Sequence, residues 1–290
     1  MRKLERLIKT LNVCVLLLLP VGCVLAATVS DRQEDSIRVE QLLKDAKGRK
    51  LTPEGCMLHF ARALKDIPYV GHTLDRTDDE QMVINLRELD CTTYVESVLA
   101  LTRCVIDDRY SFRAYVERLR DIRYRQGILS YENRLHYFCW WAEDNEWMGL
   151  VRQVEMPVPP FSAVQRLKIN YMSTNFADYA MLRDHPERVK ALKALEDQTN
   201  GQLVRYIPKS ALRQVRLLRE VIHNGDIIGI VTKKKNLDTT HLGIAVWHAD
   251  GLHMLHASSV RKKVLEDPQT LYNYLQKQPY SIGIRIVRVM

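Results

Sequence analysis

The sequence predicts an α+β fold in which helices come first and an antiparallel sheet comes last. Up to about residue 223, most segments carry apolar side chains at helical spacing or have the composition of loops. After Asn224-Gly225 the chain consists of short apolar runs joined by tight turns, the pattern of an antiparallel sheet. With 290 residues, 46% of them hydrophobic, the chain can form one large domain or a domain with a sizeable insertion.

Residues 1–26 have the pattern of a secretory signal peptide. Four basic side chains precede an apolar run that ends in small residues and is too short for a comfortable membrane span. We therefore expect export to the periplasm or cell envelope, with cleavage after Ala26 or the next alanine. A lipoprotein site at Cys23, with a lipid anchor, is the alternative, although Pro20 stands where such signals usually carry an aliphatic residue.

The charge of the remaining chain is mildly basic. Removing residues 1–26 takes away four basic and one acidic side chain, which lowers the formal charge from +8 to +5. The charges are dispersed in helical patterns with few clustered aromatic residues, so a solvated surface is favoured over nucleic-acid binding.

Four cysteines remain after the predicted cleavage. They contain no CxxC pair and no Cys/His spacing of a structural zinc site, and an even number in an exported protein permits disulfides without requiring them. The four are Cys56, Cys91, Cys104 and Cys139.

Two helices are predicted over residues 31–66. The second opens at Thr52-Pro53, and Pro68 ends it. A loop around Tyr69-Val70-Gly71 then leads into extended structure, and its glycine allows close backbone approach. Residues 110–223 are mostly helix and loop, so we interpret them as a long helical insertion.

A third helix is predicted to begin close to Cys91 and to continue to about Cys104. Apolar residues recur behind the cysteine at helical spacing, and Thr93-x-x-Glu96 has the form of a capping box. Free amides and the positive end of the helix dipole favour a thiolate, which makes Cys91 a candidate nucleophile. A small buried core cysteine is the alternative. Asp90 is expected to cap the helix, and its charge to raise the pKa of the thiol.

Two histidines lie on neighbouring strands of the predicted sheet. A cysteine nucleophile needs a base, and the base needs an orienting partner. If the hairpin loop were only Asp250-Gly251, His256 would lie about 13 Å along the strand from His241. With a four-residue loop over residues 248–251, Trp247 pairs with Leu252, and the histidines are same-face neighbours about 7 Å apart. We therefore predict the four-residue loop and a contact between the histidines.

Five short words of the sequence carry a family resemblance. They are Tyr69-Val70-Gly71-His72-Thr73, Leu89-Asp90-Cys91-Thr92-Thr93-Tyr94-Val95-Glu96, Gly225-Asp226-Ile227-Ile228, Thr240-His241-Leu242-Gly243-Ile244-Ala245-Val246 and Leu255-His256-Ala257-Ser258-Ser259. In this order they resemble the fingerprints of the NlpC-type papain-like cell-wall hydrolases, and within that superfamily they are most similar to the N-acetylmuramoyl-L-alanine amidase-like branch. The similarity covers roughly residues 50–290, and the Asp-Cys and His-Leu-Gly-Ile words are its specific part.

The resemblance implies a papain-like core and a role for each matched residue. Cys91 would be the nucleophile, His241 the general base and acid, and His256 the polar residue that orients the imidazole. Tyr69 matches the family's tyrosine beside the cysteine, where its hydroxyl would bind the substrate carbonyl or the oxyanion; a core tyrosine is the alternative. We expect a backbone amide at the start of the Cys91 helix to be the other oxyanion donor.

The spacer between Cys91 and His241 has 149 residues, far more than small members of the superfamily carry. The amidase-like branch also has a long helical insertion there. We infer that residues 134–141 and 170–179 shape one side of the cleft and select the sugar end of the substrate. Aromatic residues in the first segment either stack on the sugar or pack in the core. The predicted substrate-binding residues, besides Tyr69, are Thr92, Arg134 and Tyr137.

The predicted function is peptidoglycan hydrolysis by a single catalytic domain over residues 27–290. By resemblance, a cysteine amidase would cut the amide between N-acetylmuramic acid and L-alanine, with 1,6-anhydro fragments as a preferred form, through a thioester and without a metal or organic cofactor. The expected partners are peptidoglycan or muropeptide fragments, and we expect a monomer. The alternatives are an endopeptidase that cuts after γ-D-glutamate and a non-catalytic wall-binding module. A zinc amidase is disfavoured because no His/Glu/His set has suitable spacing.

Overall fold

The computed structural model describes residues 29–30 and 32–290. The predicted signal peptide over residues 1–26 and the lipoprotein alternative at Cys23 lie outside the described residues, so both stay predictions. Within the described part of the chain, no helix combines the length and the apolar character that a membrane span requires.

Most of the helices precede the strand Ile227–Thr232. In chain order they are α1 Gln33–Ala46, α2 Pro53–Ala63, α3 Cys91–Ile106, α4 Phe112–Arg123, α5 Phe138–Trp147, α6 Tyr171–Thr174, α7 Ala180–Arg183, α8 Pro186–Thr199, α9 Val215–Val221 and α10 Leu271–Gln276. The start of α2 agrees with the prediction, because the Thr52 side chain accepts a hydrogen bond from Gly55 N at 3.1 Å. Pro53 suits the first turn because a helix does not use the N–H there.

The strands form one large antiparallel sheet and a short parallel pair. In chain order they are β1 Val29–Ser30, β2 Met82–Val83, β3 Val151–Val154, β4 Ala163–Arg166, β5 Leu203–Pro208, β6 Ile227–Thr232, β7 Thr239–His248, β8 Gly251–Ser258, β9 Lys263–Glu266 and β10 Ser281–Val289. β1 pairs with β2, and the other eight form a sheet in the order β4-β5-β10-β6-β7-β8-β9, with β3 also paired to β10. The α+β class is confirmed.

The insertion over residues 110–223 is not purely helical, contrary to the prediction. Its strands β3 and β5 pair with β10, and β4 extends the sheet beyond β5. These strands have only four to six residues, and their partners lie far away along the chain. No hairpin turn therefore marks them in the sequence.

Both faces of the sheet are buried. On β6, Ile227 belongs to the core that packs α2, α3 and α5, whereas Ile228 belongs to a second core under α9 and α10. Because successive side chains of a strand point to opposite faces, a strand between two cores is apolar throughout. This explains why residues 227–231 show no polar alternation.

The β7–β8 hairpin carries both candidate histidines. Its register pairs Trp247 with Leu252, as predicted, but His248 also pairs with Gly251. The loop therefore has two residues, 249–250, and the predicted four-residue loop is wrong. The register is unchanged, because the additional pair of His248 with Gly251 only lengthens both strands by one residue. Gly251 has a φ of 146°, a conformation that suits a residue without a side chain.

The Cys91 helix begins where the sequence predicts, but its capping box is different. Asp90 Oδ1 accepts from Thr93 N at 2.8 Å, and Thr93 Oγ1 accepts from Asp90 N at 2.9 Å. Asp90 is thus the cap, as expected. The predicted Thr93–Glu96 box is wrong because Glu96 is buried and forms an ion pair with Arg123 at 2.7 Å. The helix ends at Ile106, one half-turn beyond the predicted end.

Candidate active site

Backbone pairing places Tyr69 beside the first turn of α3. Leu89 N donates to Pro68 O at 3.0 Å, and Val70 N donates to Leu89 O at 3.2 Å. Burial, followed by the negative charges of Cys91 and Asp90, raises the pKa of Tyr69 to about 12. Its hydroxyl therefore keeps its proton at neutral pH and is available as a hydrogen-bond donor.

The thiol of Cys91 is protonated at neutral pH, although it lies at a helix N-terminus. It is half-buried, and its Sγ lies 4.0 Å from Thr92 Oγ1. Burial and then the Asp90 carboxylate raise the pKa of Cys91 to about 11, against the smaller opposing effects of hydrogen bonds from Leu242 N, the Thr92 hydroxyl and its own amide. The predicted preference for a thiolate is therefore not met, because desolvation outweighs the helix terminus.

Cys56, Cys104 and Cys139 are buried free thiols, and Cys91 is also free. Burial raises the pKa of each of the three. Because a reactive cysteine must be accessible, the half-buried Cys91 is the cysteine among the four that is placed for chemistry.

His241 and His256 are in contact, as predicted from the hairpin register. His241 Nε2 lies 2.7 Å from His256 Nδ1, and the two rings are perpendicular with centroids 4.9 Å apart. His256 is fully buried, whereas His241 is half-buried. Burial and then the electrostatic effect of the neighbouring His256 lower the pKa of His241 to about 3, so His241 is a neutral imidazole at neutral pH.

Cys91 and His241 line a common cavity of about 140 Å³, which we call the central cavity. Within the described residues, neither a hydrogen bond between Cys91 Sγ and the imidazole nor any hydrogen bond to His241 Nδ1 is present. His241 Nε2 is occupied by His256. The nitrogen that remains for proton transfer is thus Nδ1, and a neutral thiol next to a neutral imidazole can react by general-base catalysis.

Two larger cavities flank the central cavity. The tyrosine cavity, of about 290 Å³, is lined by Tyr69, Thr92 and four further tyrosines, and the lysine cavity, of about 210 Å³, is lined by His241, Lys234 and Tyr274. Thr92 lines both the tyrosine and the central cavity, and His241 lines both the central and the lysine cavity. The three cavities therefore form a cleft that passes Cys91 and His241.

The two insertion segments that we expected at the cleft both reach the tyrosine cavity. Leu135 and His136 come from the first segment, and Tyr171 and Tyr179 come from the second. The geometry thus brings together chain segments that are about 35 residues apart in the sequence, on the side of Cys91 where Tyr69 lies.

Arg134 and Tyr137 lie in the wall of the tyrosine cavity and are occupied by neighbours. Arg134 is buried, forms an ion pair with Asp75 at 2.6 Å and stacks on Tyr131. Tyr137 is buried, and its hydroxyl donates to Glu196 Oε1 at 2.6 Å. Both residues therefore hold the wall in shape, and a direct role in substrate binding stays a prediction.

Metal binding has no obvious location in the described part of the chain. No group of three or more His, Cys, Asp or Glu side chains there is arranged to hold a metal ion.

Residues 59–284 match the family model of the N-acetylmuramoyl-L-alanine amidase-like proteins. The chain belongs to this N-acetylmuramoyl-L-alanine amidase-like family. Membership supports a hydrolase of the amidase type, in agreement with a cleft that contains a cysteine and a histidine. A comparison with curated proteins found no match.

Solved structures similar to this amidase-like protein cover most of its chain. An N-acetylmuramoyl-L-alanine amidase from Bacteroides uniformis is 37% identical, with a TM-score of 0.77 over 82% of this chain and 99% of its own. A candidate xylanase from Bacteroides fragilis is 36% identical, with a TM-score of 0.75 over 80% and 100%. A Legionella pneumophila protein, 24% identical with a TM-score of 0.68 over 89% and 95%, shares the fold.

Two residues beside the histidines of this amidase-like protein were not predicted from the sequence. Asp267 Oδ2 lies 3.4 Å from His256 Nε2, and the Tyr274 ring centroid lies 5.4 Å from that of His256. Both follow β9, whose pairing with β8 places Leu265 opposite His256. The signal that the sequence offered for Asp267 was its place directly after β9, the short strand that follows β8.

Proposed function

We propose that this protein hydrolyses peptidoglycan as a cysteine amidase, and that it cleaves the amide between N-acetylmuramic acid and L-alanine. The observation that carries this proposal is the arrangement of Cys91, at the start of α3, in one cavity with His241, whose second nitrogen is held by His256. The name of the Bacteroides uniformis relative supports the choice of bond. The NlpC-type papain-like assignment belongs to the same proposal.

The reaction begins with the neutral pair. Cys91 Sγ attacks the lactyl carbonyl carbon while its proton moves to His241 Nδ1, and a tetrahedral oxyanion forms. His241 then gives this proton to the amide nitrogen, the C–N bond breaks, and the peptide leaves with a free amine. Water attacks the thioester with His241 as base, and the proton finally returns to sulfur as the acid product leaves.

Two donors suit the oxyanion. Asp90 Oδ1 already accepts from Thr92 N and Thr93 N, so the first amide of α3 that the cap does not use is that of Cys91 itself, next to its own thiol. The Tyr69 hydroxyl keeps its proton and makes no hydrogen bond within the described residues. Together they supply one backbone and one side-chain donor near the start of α3.

The charge of the tyrosine cavity favours the sugar. Its arginines are paired, Arg134 with Asp75 at 2.6 Å and Arg123 with Glu96 at 2.7 Å, and Asp90 adds a further carboxylate. A cavity with these charges has no cation left for a carboxylate ligand, whereas its tyrosine rings suit an uncharged sugar. We therefore place the muramyl group, in normal or 1,6-anhydro form, in this cavity.

The leaving peptide then occupies the lysine cavity. His241, which protonates the leaving nitrogen, lines that cavity, and Lys234 is the charged side chain among the described residues around it. A stem peptide carries carboxylates that Lys234 can neutralise. Export to the periplasm, as the pattern of residues 1–26 predicts, would bring the protein to this substrate.

Product analysis of digested muropeptides tests the proposal. We expect the wild-type protein to release intact stem peptides that begin with L-alanine, and Cys91→Ala to release none. Sugar fragments that still carry L-Ala-D-Glu would instead identify an endopeptidase. Activity that is lost in EDTA and restored by Zn²⁺ would contradict the metal-free mechanism.

Matched variants separate catalysis from wall binding. His241→Gln should abolish release, whereas the same substitution at His185, which pairs with Glu187 outside the cleft, should leave it unchanged. Cys91 should also react with iodoacetamide faster than the buried Cys56 and Cys104. Equal effects of wild type and Cys91→Ala on cell-wall material would indicate a non-catalytic binding module.

A further inference from the structure

The Asp267 carboxylate contacts His256 at the ring nitrogen that does not face His241. His256 is fully buried, and Asp267 Oδ2 approaches its Nε2 at 3.4 Å. Within the described residues, this buried nitrogen makes no hydrogen bond, and the 3.4 Å contact with the Asp267 carboxylate is the polar contact that it has. Because a buried N–H without an acceptor costs about 1–3 kcal/mol, the approach of a carboxylate determines where the His256 proton resides.

We propose that Asp267 is a positioning residue that sets the tautomers of both histidines and thereby leaves His241 Nδ1 unprotonated for Cys91. The proposal rests on the proposed cysteine mechanism and adds a fourth member to it. Asp267 touches neither the substrate nor the thiol, and it acts through His256.

The orientation of the Asp267 carboxylate is fixed by its neighbours. Its Oδ1 accepts from Gln269 N at 2.9 Å and from Gln269 Nε2 at 3.3 Å, which leaves Oδ2 for His256. The backbone is held as well, because Asp267 N donates to Met254 O and Asp267 O contacts His253 Nδ1, both at 2.9 Å. Burial raises the pKa of Asp267, but the neighbouring His256 and the hydrogen bonds from Gln269 lower it below its ordinary value overall, so it is charged at neutral pH.

The proton positions follow from this charge. A carboxylate only accepts, so we assign the His256 proton to Nε2, and in the neutral form of this imidazole Nδ1 is then an acceptor. The nitrogen 2.7 Å from that Nδ1 is His241 Nε2, which must therefore donate. His241, being neutral, is left with a bare Nδ1, the form that a general base requires. The opposite tautomers would put a proton on Nδ1 and block the transfer from Cys91.

Other ionisable groups face the pair, but none of them replaces Asp267. Tyr274, on α10, has a pKa raised to about 12 by burial, Asp267 and Cys91, so it is neutral. Cys91, on α3, is a neutral thiol, and Asp90 next to it is engaged as the helix cap. Lys234 shares the lysine cavity with His241. Asp267 is the anion in contact with His256.

The substitution Asp267→Asn tests the proposal sharply. Gln269 N must keep an oxygen acceptor, so the new side chain keeps its carbonyl at Gln269 and turns its NH₂ group toward His256. His256 Nε2 then has to accept, and both tautomers reverse. In a serine protease triad, the same replacement costs about 10⁴ in kcat through the wrong tautomer. We expect kcat to fall at least about 100-fold, with KM changed less than about threefold.

Alkylation of Cys91 separates positioning from a merely structural role. With iodoacetamide, the Asp267→Asn protein should react more slowly than wild type at neutral pH, because the base is missing. Above the pKa of Cys91, the rates should converge, because the thiolate no longer needs a base. A deficit that persists at all pH values, or a variant with kcat within about threefold of wild type, would overturn the proposal.

The chain offers a matched control on the same strand. Asp250 Oδ1 also contacts a histidine of β8, His253 Nε2, at 2.9 Å, but this pair does not touch His241. Asp250→Asn should therefore change kcat and the alkylation rate less than about twofold.

A measurement on the wild-type protein remains decisive if Asp267→Asn does not fold. Nitrogen-15 NMR of the histidine rings should show both His241 and His256 protonated on Nε2 at neutral pH; a proton on Nδ1 of either ring refutes the proposal. The NMR and alkylation results need no substrate. A failure of the proposed peptidoglycan activity would therefore be recognised separately, by the product analysis.

Discussion

At the scale of single residues, the charge state of the reacting pair differs from what the sequence suggests. A helix N-terminus favours a thiolate, but burial and the Asp90 carboxylate raise the pKa of Cys91 to about 11. Burial also lowers the pKa of His241 to about 3. The resting site is therefore neutral, and the proton must move during the attack rather than before it.

Asp90→Asn should lower the pKa of Cys91 without removing the helix cap. The oxygen of asparagine can accept the bonds that Asp90 Oδ1 accepts from Thr92 N, Thr93 N and Thr93 Oγ1. The negative charge is lost, so the thiolate forms at lower pH. The pH dependence of iodoacetamide alkylation measures this, and the half-maximal rate should shift toward neutral pH.

Asp90→Ala is the control for the cap. It removes the charge and the cap together, so the alkylation profile should shift while the free energy of unfolding falls by about 1 kcal/mol. An alkylation profile of Asp90→Asn that stays in place, or moves to higher pH, would show that Asp90 does not raise the pKa of Cys91.

The sequence predicts a contact in the site when the residues that form it lie close together along the chain or in one hairpin. Cys91 and His241 lie in distinctive words, and the contact with His256 follows from the register of one hairpin. Asp267 reaches His256 only because β9 pairs with β8, and no motif marks it. The pKa of Cys91 was not predictable, because the depth at which its side chain is buried depends on packing by distant segments.

At the scale of elements, the insertion builds the cleft wall through buried polar contacts. Tyr137, directly before α5, donates to Glu196 of α8 at 2.6 Å and accepts from Met172 N of α6 at 3.0 Å. One hydroxyl therefore joins three helices behind the tyrosine cavity. The amphipathic helix α8 could be predicted from the sequence. The hydrogen bonds of the Tyr137 hydroxyl could not, since its partners lie 35 and 59 residues away along the chain.

Tyr137→Phe should destabilise the protein by about 1–3 kcal/mol, because Glu196 is fully buried and would lose the shorter of its two donors, keeping Ser173 N at 3.2 Å. Denaturant unfolding measures the change. Tyr179→Phe is the matched control, because Tyr179 lines the same cavity and its hydroxyl makes no hydrogen bond within the described residues; it should change stability by less than about 0.5 kcal/mol. Equal effects of the two substitutions would show that the junction does not stabilise the insertion.

At the scale of the whole molecule, one sheet unites the parts of the chain. The α+β class and the existence of β6, β7, β8 and β10 follow from sequence patterning, since each of these strands has a clear apolar run, whereas the pairing of β10 with β6 was not predicted. The strands β3, β4 and β5 of the insertion were missed because short strands with distant partners leave no local turn signal. Their pairing couples the insertion to the sheet that carries His241.

Two half-buried, neutral histidines should make the folded protein sensitive to acid. Burial and then the charge of Arg134 lower the pKa of His136 to about 3, and His241 is lowered similarly. Between about pH 6.5 and 3, the unfolded chain binds protons at these positions that the folded chain does not bind. Stability is thus present above about pH 6.5 and is lost as the pH falls, by at most about 1.4 kcal/mol per pH unit for each histidine.

His136→Gln isolates one of these contributions. His136 Nε2 lies 2.8 Å from Tyr131 O, and the glutamine NH₂ can donate to the same carbonyl without titrating. We expect urea unfolding to show a smaller loss of stability in the variant than in wild type from pH 6.5 to 4.5. Between pH 7 and 8 the difference between the two proteins should stay constant, because the histidine is neutral in both folded and unfolded states there. Parallel stability curves through the acid range would mean that His136 gains its proton as readily in the folded protein as in the unfolded chain.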